Sequence, residues 1–141
     1  MNAVPEPSRL KEFEVAELQR ILYVEDEPDI RAVAQLALET VGGFTVKVCG
    51  SGEEAAHDAE DFAPDLILLD VMMPGMDGPS TLEALREIPA LVEVPVAFMT
   101  AKVQPSEIEH YKSLGARDVI AKPFDPMQLA DEVRRIWQGA V

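Results

Sequence analysis

Cysteine is almost missing from this chain of 141 residues: Cys49 stands alone, so no intramolecular disulfide can form. No Cys/His cluster has the spacing of a zinc site either. Basic residues are scarce, with 12 Lys and Arg against 26 Asp and Glu and a formal net charge of −14. Such a surface repels phosphate backbones and anionic lipids, so neither nucleic acid nor a membrane is an expected partner. It suits a basic protein partner or a bound cation. No apolar run approaches the length of a membrane span, and Glu6, Arg9, Lys11, Glu12 and Glu14 stand where a signal peptide needs an apolar stretch. A cytoplasmic location is expected. What is plentiful is apolar residue content, 48% in a length that suits one domain, enough for one substantial core.

From Ile21 onward a short apolar run, a turn and a segment of helical spacing recur, which predicts a parallel α/β sheet. Ile21-Leu22-Tyr23-Val24 reads as a strand buried on both faces, and Asp26 and Pro28 supply helix-start chemistry. The next helix places Ile30, Val33, Ala34, Ala37 and Val41 on one face and ends at Gly42-Gly43. A second strand covers Phe44 to Cys49, whose apolar alternation marks Cys49 as a core residue. Ser51 with Glu54 forms a capping-box pattern, and Leu66 to Leu69 is the third strand. After a loop from Pro74 to Pro79 come a helix from Ser80 to Glu87, a strand from Val94 to Met99, and a helix from Pro105 with a thin apolar face. Val119 to Ala121 is the last strand, and Leu129, Val133, Ile136 and Trp137 share one side of the last helix. Residues 1–18 form an extension outside the repeat, with a weak apolar face at Leu10, Phe13 and Leu18; residues 19–141 form the domain.

Five strands with helices on both faces predict a doubly wound sheet of order 2-1-3-4-5, whose ligands bind beyond the carboxyl ends of the strands. The switch point then lies between the first and third strands. Glu25 and Asp26 follow the first strand and Asp70 ends the third, so carboxylates would meet there. They could raise a pKa, pair with a base, or hold a hard divalent cation such as Mg²⁺, with the carbonyl of Met72 as a further oxygen. Thr100 and Lys122 fall at the ends of the fourth and fifth strands. A hydroxyl, an ammonium and a carboxylate nucleophile are what transfer of a phosphoryl group to a protein requires. Each residue alone has a plainer reading, Asp26 as a helix cap and Asp70 as a turn former. Their common place at strand ends favours the site.

These motifs resemble the receiver domain of two-component response regulators, including the single-domain chemotaxis type, over about Gln19 to Gln138. The resemblance rests on Ile21 to Pro28, on Asp65 to Gly78, on Pro95 to Ala101, and on Gly115-Ala116 leading to Lys122-Pro123-Phe124. It implies a flavodoxin-like fold, Asp70 as phosphoacceptor, and Mg²⁺ on Asp26, Asp70 and the Met72 carbonyl, with Glu25 assisting through water. Thr100, Lys122 and the N–H of Ala101 would contact the phosphoryl group, and the Lys122-Pro123 bond would be cis, as is usual in that family. The donor would be a sensor histidine kinase or a histidine phosphotransfer protein. Output would pass by protein contact or phosphorelay, since the chain ends soon after its last helix, and a homodimer through Trp137 is the alternative to core packing of that ring. Many receivers carry an aromatic residue where this chain has Val119, so the usual coupling is expected to be altered or weak; Tyr111 and His110 on the fourth helix are the rings that could substitute but read as ordinary surface residues, and Met72 and Lys102 flank the site.

Two other functions compete. A phosphatase of the haloacid dehalogenase type also uses a strand-end Asp and Mg²⁺, but needs a second Asp two residues on, where this chain has Met72. Turnover on external phosphate esters is therefore not expected, and the protein is not an enzyme beyond its own phosphorylation and dephosphorylation. A module that has given up phosphorylation would be marked by loss of an acid, Thr100 or Lys122, and all are present.

Overall fold

The structure is a computed structural model that describes residues 17–139. The expected extension falls almost wholly outside the described residues; its last member, Leu18, is buried against Ile21 and Phe44 in the core. Strands β1 (Arg20–Val24), β2 (Thr45–Cys49), β3 (Leu66–Asp70), β4 (Val96–Thr100) and β5 (Asp118–Ala121) form one parallel sheet in the order β2-β1-β3-β4-β5. That is the predicted doubly wound order. The helices are α1 (Pro28–Leu36, running on as a π-helical turn over Ala37–Val41), α2 (Gly52–Phe62), α3 (Gly78–Arg86), α4 (Pro105–Ser113) and α5 (Leu129–Trp137). Val24 is level with Leu69, Asp70 with Met99, and Thr100 with Ala121, so the carboxyl ends of four strands reach one rim.

The continuous apolar runs have the burial that a sheet covered on both faces requires: every residue of β3 and β4 is buried. Successive side chains part to two cores. Tyr23, Leu68 and Met99 meet Ala34, Leu38, Leu129 and Val133 from α1 and α5. Leu22, Leu69 and Phe98 meet Ala55, Ala59, Leu82 and Leu85 from α2 and α3. Each fully buried Leu, Ile or Phe stabilises the fold by about 1.5–3 kcal/mol relative to exposure.

Several boundaries and faces differ from expectation for local reasons. On α1 the buried positions are Ala34, Ala37 and Leu38, whereas Val33 is 45% and Val41 46% exposed. Small Ala residues let the helix lie close to the sheet. Its last turn, Ala37–Val41, widens into a π-helix closed by Gly42 N–H to Ala37 C=O and Phe44 N–H to Leu38 C=O, and this extra residue per turn carries Val41 off the buried face. Cys49 is buried, but not with Phe44, Val46 and Val48: by strand parity it faces the α2 and α3 side and they the other. The Ser51 hydroxyl accepts the Glu54 N–H at 3.1 Å, yet the returning carboxylate takes Gly50 N–H at 2.9 Å, one residue before the cap. Helix α3 begins earlier than predicted because Asp77 caps it, accepting Ser80 N–H at 2.8 Å, which draws Gly78 and Pro79 into its first turn. Strand β4 starts at Val96, since Val94 is tied back by its N–H to Leu91 C=O and by Arg86 to its carbonyl at 2.8 Å.

Helix α4 buries no residue fully, as its thin apolar face implied, and is held by a capping box in which Glu107 accepts Gln104 N–H at 3.0 Å. Trp137 packs beside the core formed by Leu129, Val133 and Ile136. The Lys122-Pro123 bond is cis.

Candidate functional site

The rim at the carboxyl ends of β1, β3, β4 and β5 gathers the predicted residues. Carboxylate oxygens of Glu25, Asp26 and Asp70 lie within 4.8 Å of one another. Glu25 has no exposure and Asp70 only 3%, while Asp26 stands half-buried at the mouth. Lys122 spans the acids from the end of β5: its Nζ donates to Glu25 Oε1 at 2.8 Å and to Asp70 Oδ1 at 3.1 Å. Thr100 is buried at the end of β4, where its hydroxyl oxygen accepts the Lys102 N–H at 3.1 Å and keeps its own proton to donate elsewhere. Ala101 is exposed on the same rim, and the Met72 side chain is 71% exposed beside Asp70.

Glu25 is tied down at the floor of the rim by four donors. Its Oε1 accepts the Tyr23 hydroxyl at 3.3 Å as well as Lys122, its Oε2 accepts Glu27 N–H at 3.2 Å, and its main-chain carbonyl accepts Arg31 at 2.9 Å. Tyr23, Glu27 and Arg31 are thus parts of the site that sequence reasoning passed over. The legible signal was a tyrosine inside an otherwise apolar strand, since a buried phenol needs an acceptor. Gly78 was also missed. A Cβ there would stand 2.6 Å from the Asp70 carbonyl oxygen and 2.8 Å from Val71 Cα, so only glycine lets the start of α3 lie against the end of β3.

Electrostatics follow from this crowding. Burial, followed by the charge of Glu25, pushes the Asp70 carboxyl up to about 6, against the opposing pull of Lys122. For Lys122 burial disfavours the ammonium, but hydrogen bonds and charges from Glu25 and Asp70 together raise its pKa. The Tyr23 phenol is raised by burial and then by Glu25. Three carboxylates facing one lysine leave excess negative charge, and hard oxygen donors in this number are a fitting set for Mg²⁺, which pairs one or two carboxylates with water and phosphate oxygens. Cys49, Glu54 and Asp58 form a second close group. It is a poor metal centre: Asp58 already accepts His57 at 2.7 Å and pairs with Lys47 at 3.5 Å, and Glu54 accepts Gly50 N–H at 2.9 Å.

The position usually aromatic in receivers, Val119, is half-buried and level with Phe98 on β4. The ring against Phe98 is Tyr111 of α4, edge-on with centroids 5.3 Å apart. Tyr111 is therefore part of the packing and not a free surface ring; His110 is exposed beside it.

A sheet of this order with an acidic rim, a strand-end lysine and a buried threonine is suited to holding a divalent cation and a phosphoryl group, and comparison with known proteins supplies the class. The sequence model of the response regulator receiver domain matches residues 21–134, so this chain belongs to that family, whose general features are phosphorylation on aspartate and Mg²⁺ binding. It is 36% identical over 116 residues to the DNA-binding response regulator MtrA of Mycolicibacterium smegmatis, covering 82% of this chain and 49% of that protein. It is 41% identical over 117 residues to the transcriptional activator protein IrlR of Burkholderia pseudomallei, covering 83% and 49%. The chain thus spans about half the length of the curated relatives it matches. Among solved structures, the chemotaxis response regulator CheY4 of Vibrio cholerae superposes with a TM-score of 0.78 at 28% identity, over 85% of this chain and 99% of that one. Receiver domains are signalling proteins and not generally classed as enzymes. None of the described helices is long and apolar enough to cross a membrane.

Proposed function

We propose that Asp70 is the phosphoacceptor of this receiver and that residues 19–141 act as a single switch unit. The observation that carries this reading is Lys122 bridging Asp70 and Glu25 at the strand ends, a cation already set against the carboxylate that would receive the phosphoryl group. The ionised Asp70 attacks the phosphorus of a phosphohistidine on a sensor kinase or phosphotransfer protein. An O–P bond forms as the N–P bond breaks, and the imidazole nitrogen keeps the electron pair of the broken bond. Lys122 then follows the new negative charge, Thr100 turns its hydroxyl proton to a phosphoryl oxygen, and the N–H of Ala101 donates to another.

Asp26, Asp70 and the Met72 carbonyl would hold Mg²⁺, with Glu25 reaching it through water; the ion's contribution is to neutralise phosphoryl charge. Its site would lie at the mouth, beside half-buried Asp26, while Lys122 and Glu25 occupy the floor. Output passes by contact with a protein target or by relay to another histidine, in the cytoplasm; the likeness to CheY4, 99% of whose length this chain covers, supports a free-standing domain. The acidic surface disfavours direct nucleic-acid binding, although relatives of this chain include DNA-binding regulators. An immunoblot of the native product at the 15.5 kDa of this chain supports free-standing use, and a band near twice that size refutes it.

Amide NMR with Mg²⁺ and then beryllofluoride, a phosphoryl mimic, tests the site in wild type and Asp70→Asn. Shifts that require Asp70 and reach Thr100 and α4 support a switch; shifts confined to the rim favour a relay or sink. No response refutes phosphorylation as its use. Asp26→Ala should weaken Mg²⁺ binding at least roughly tenfold, and unchanged affinity removes that ligand.

A further inference from the structure

Tyr23 is fully buried in β1, where a phenylalanine would fill the same space. Its hydroxyl has one acceptor, Glu25 Oε1 at 3.3 Å, and that oxygen also takes Lys122 at 2.8 Å. The other carboxylate oxygen takes the main-chain N–H of Glu27 at 3.2 Å. Glu25 thus has two kinds of donor. Tyr23 and the Glu27 N–H belong to β1 and the turn after it and cannot travel. Lys122 sits on a flexible stem and is shared with Asp70. A carboxylate without exposure cannot give up its charged partner unless other donors keep it satisfied.

We propose that Tyr23 is a positioning residue for phosphoryl acceptance: its hydroxyl keeps the buried Glu25 carboxylate in place and satisfied while Lys122 leaves it for the phosphoryl group on Asp70. The proposal rests on the reading of Asp70 and Lys122 given above. Without the hydroxyl, Oε1 depends on Lys122 alone, Glu25 holds the ammonium more tightly, and the phosphoryl group must compete harder for it. Packing is unaffected, because the ring stays where it is.

The test is a beryllofluoride titration at saturating Mg²⁺, followed by amide NMR, on wild type, Tyr23→Phe, Glu25→Gln and the double variant, with urea denaturation on each. Tyr23→Phe is expected to fold normally and to bind the mimic roughly tenfold more weakly, the scale of one hydrogen bond to a charged group. In the Glu25→Gln background, where Glu25 no longer competes for Lys122 with a charge, the same substitution is expected to change affinity less than about twofold. In wild type labelled at the tyrosine Cζ carbon, the Tyr23 signal, identified by its loss in Tyr23→Phe, should move when the mimic binds. Equal affinities of wild type and Tyr23→Phe, an equal loss in both backgrounds, or a stationary Tyr23 signal each overturn this proposal and leave the Asp70 reading standing. Failure of the wild type to bind the mimic overturns both.

Discussion

Asp70→Asn should make the metal-free protein more stable at pH 8 while ending phosphorylation. Burial, and after it the charge of Glu25, pushes the Asp70 carboxyl up to about 6 from the 3.8 of an unperturbed side chain. That rise corresponds to roughly 3 kcal/mol of cost for holding the charge at this position. The folded protein binds the proton more tightly than the unfolded chain. Stabilisation from that proton is therefore fully present below about pH 4 and is lost as pH rises through about 6. Asparagine resembles the protonated acid at every pH and can still accept from Lys122. In EDTA at pH 8 the variant is expected to gain about 2–3 kcal/mol in urea denaturation, with the advantage vanishing toward pH 4. Saturating Mg²⁺ should narrow the gap by stabilising wild type more than the variant, which lacks one carboxylate. A variant no more stable than wild type at pH 8, or an advantage unchanged at low pH, refutes the view that Asp70 is held ionised at a cost.

Removing the other side of the pair acts in the opposite direction. Lys122→Ala should destabilise the metal-free domain by about 2–4 kcal/mol by leaving Glu25 and Asp70 facing each other, a loss that Mg²⁺ partly restores in thermal melts. The same variant should still accept phosphoryl from a small donor, yet show no spread of NMR shifts to α4, and a full response would remove Lys122 from the coupling. Gly78→Ala should cost about 1–3 kcal/mol and slow phosphorylation, because its Cβ would displace the Asp70 carbonyl; normal denaturation and rate together would contradict the close approach. Cys49, buried and with its thiol pushed up to about 12, should resist thiol reagents at pH 8 and react at once in urea. Fast labelling of the folded protein would count against its place in the core.

Much of the architecture was legible in the chain because parallel strands covered on both faces cannot be written with alternating polar residues. Leu66 to Leu69 and Ile21 to Val24 have few other readings, and the right-handed crossover rule then limits the strand order. Boundaries were less legible where a single hydrogen bond moves them, as with Asp77 at α3 and Val94 before β4. The face of α1 was misread because its contact residues are alanines, whose small apolar signal is outweighed by the larger Val33 and Val41, and because a π-turn breaks the helical period.

The site divides in the same way. Strand ends carry their residues to one rim by topology alone, so Glu25, Asp26, Asp70, Thr100 and Lys122 could be gathered from spacing and sheet order. Which groups touch was decided by tertiary structure. The chain cannot state that Lys122 shares its ammonium between Glu25 and Asp70, that Tyr23 reaches up from the core to hold Glu25, or that Gly78 makes room behind Asp70. Those facts depend on distances of about 3 Å between segments up to a hundred residues apart, and hydrogen bonding and desolvation change steeply on that scale while sequence periodicity does not.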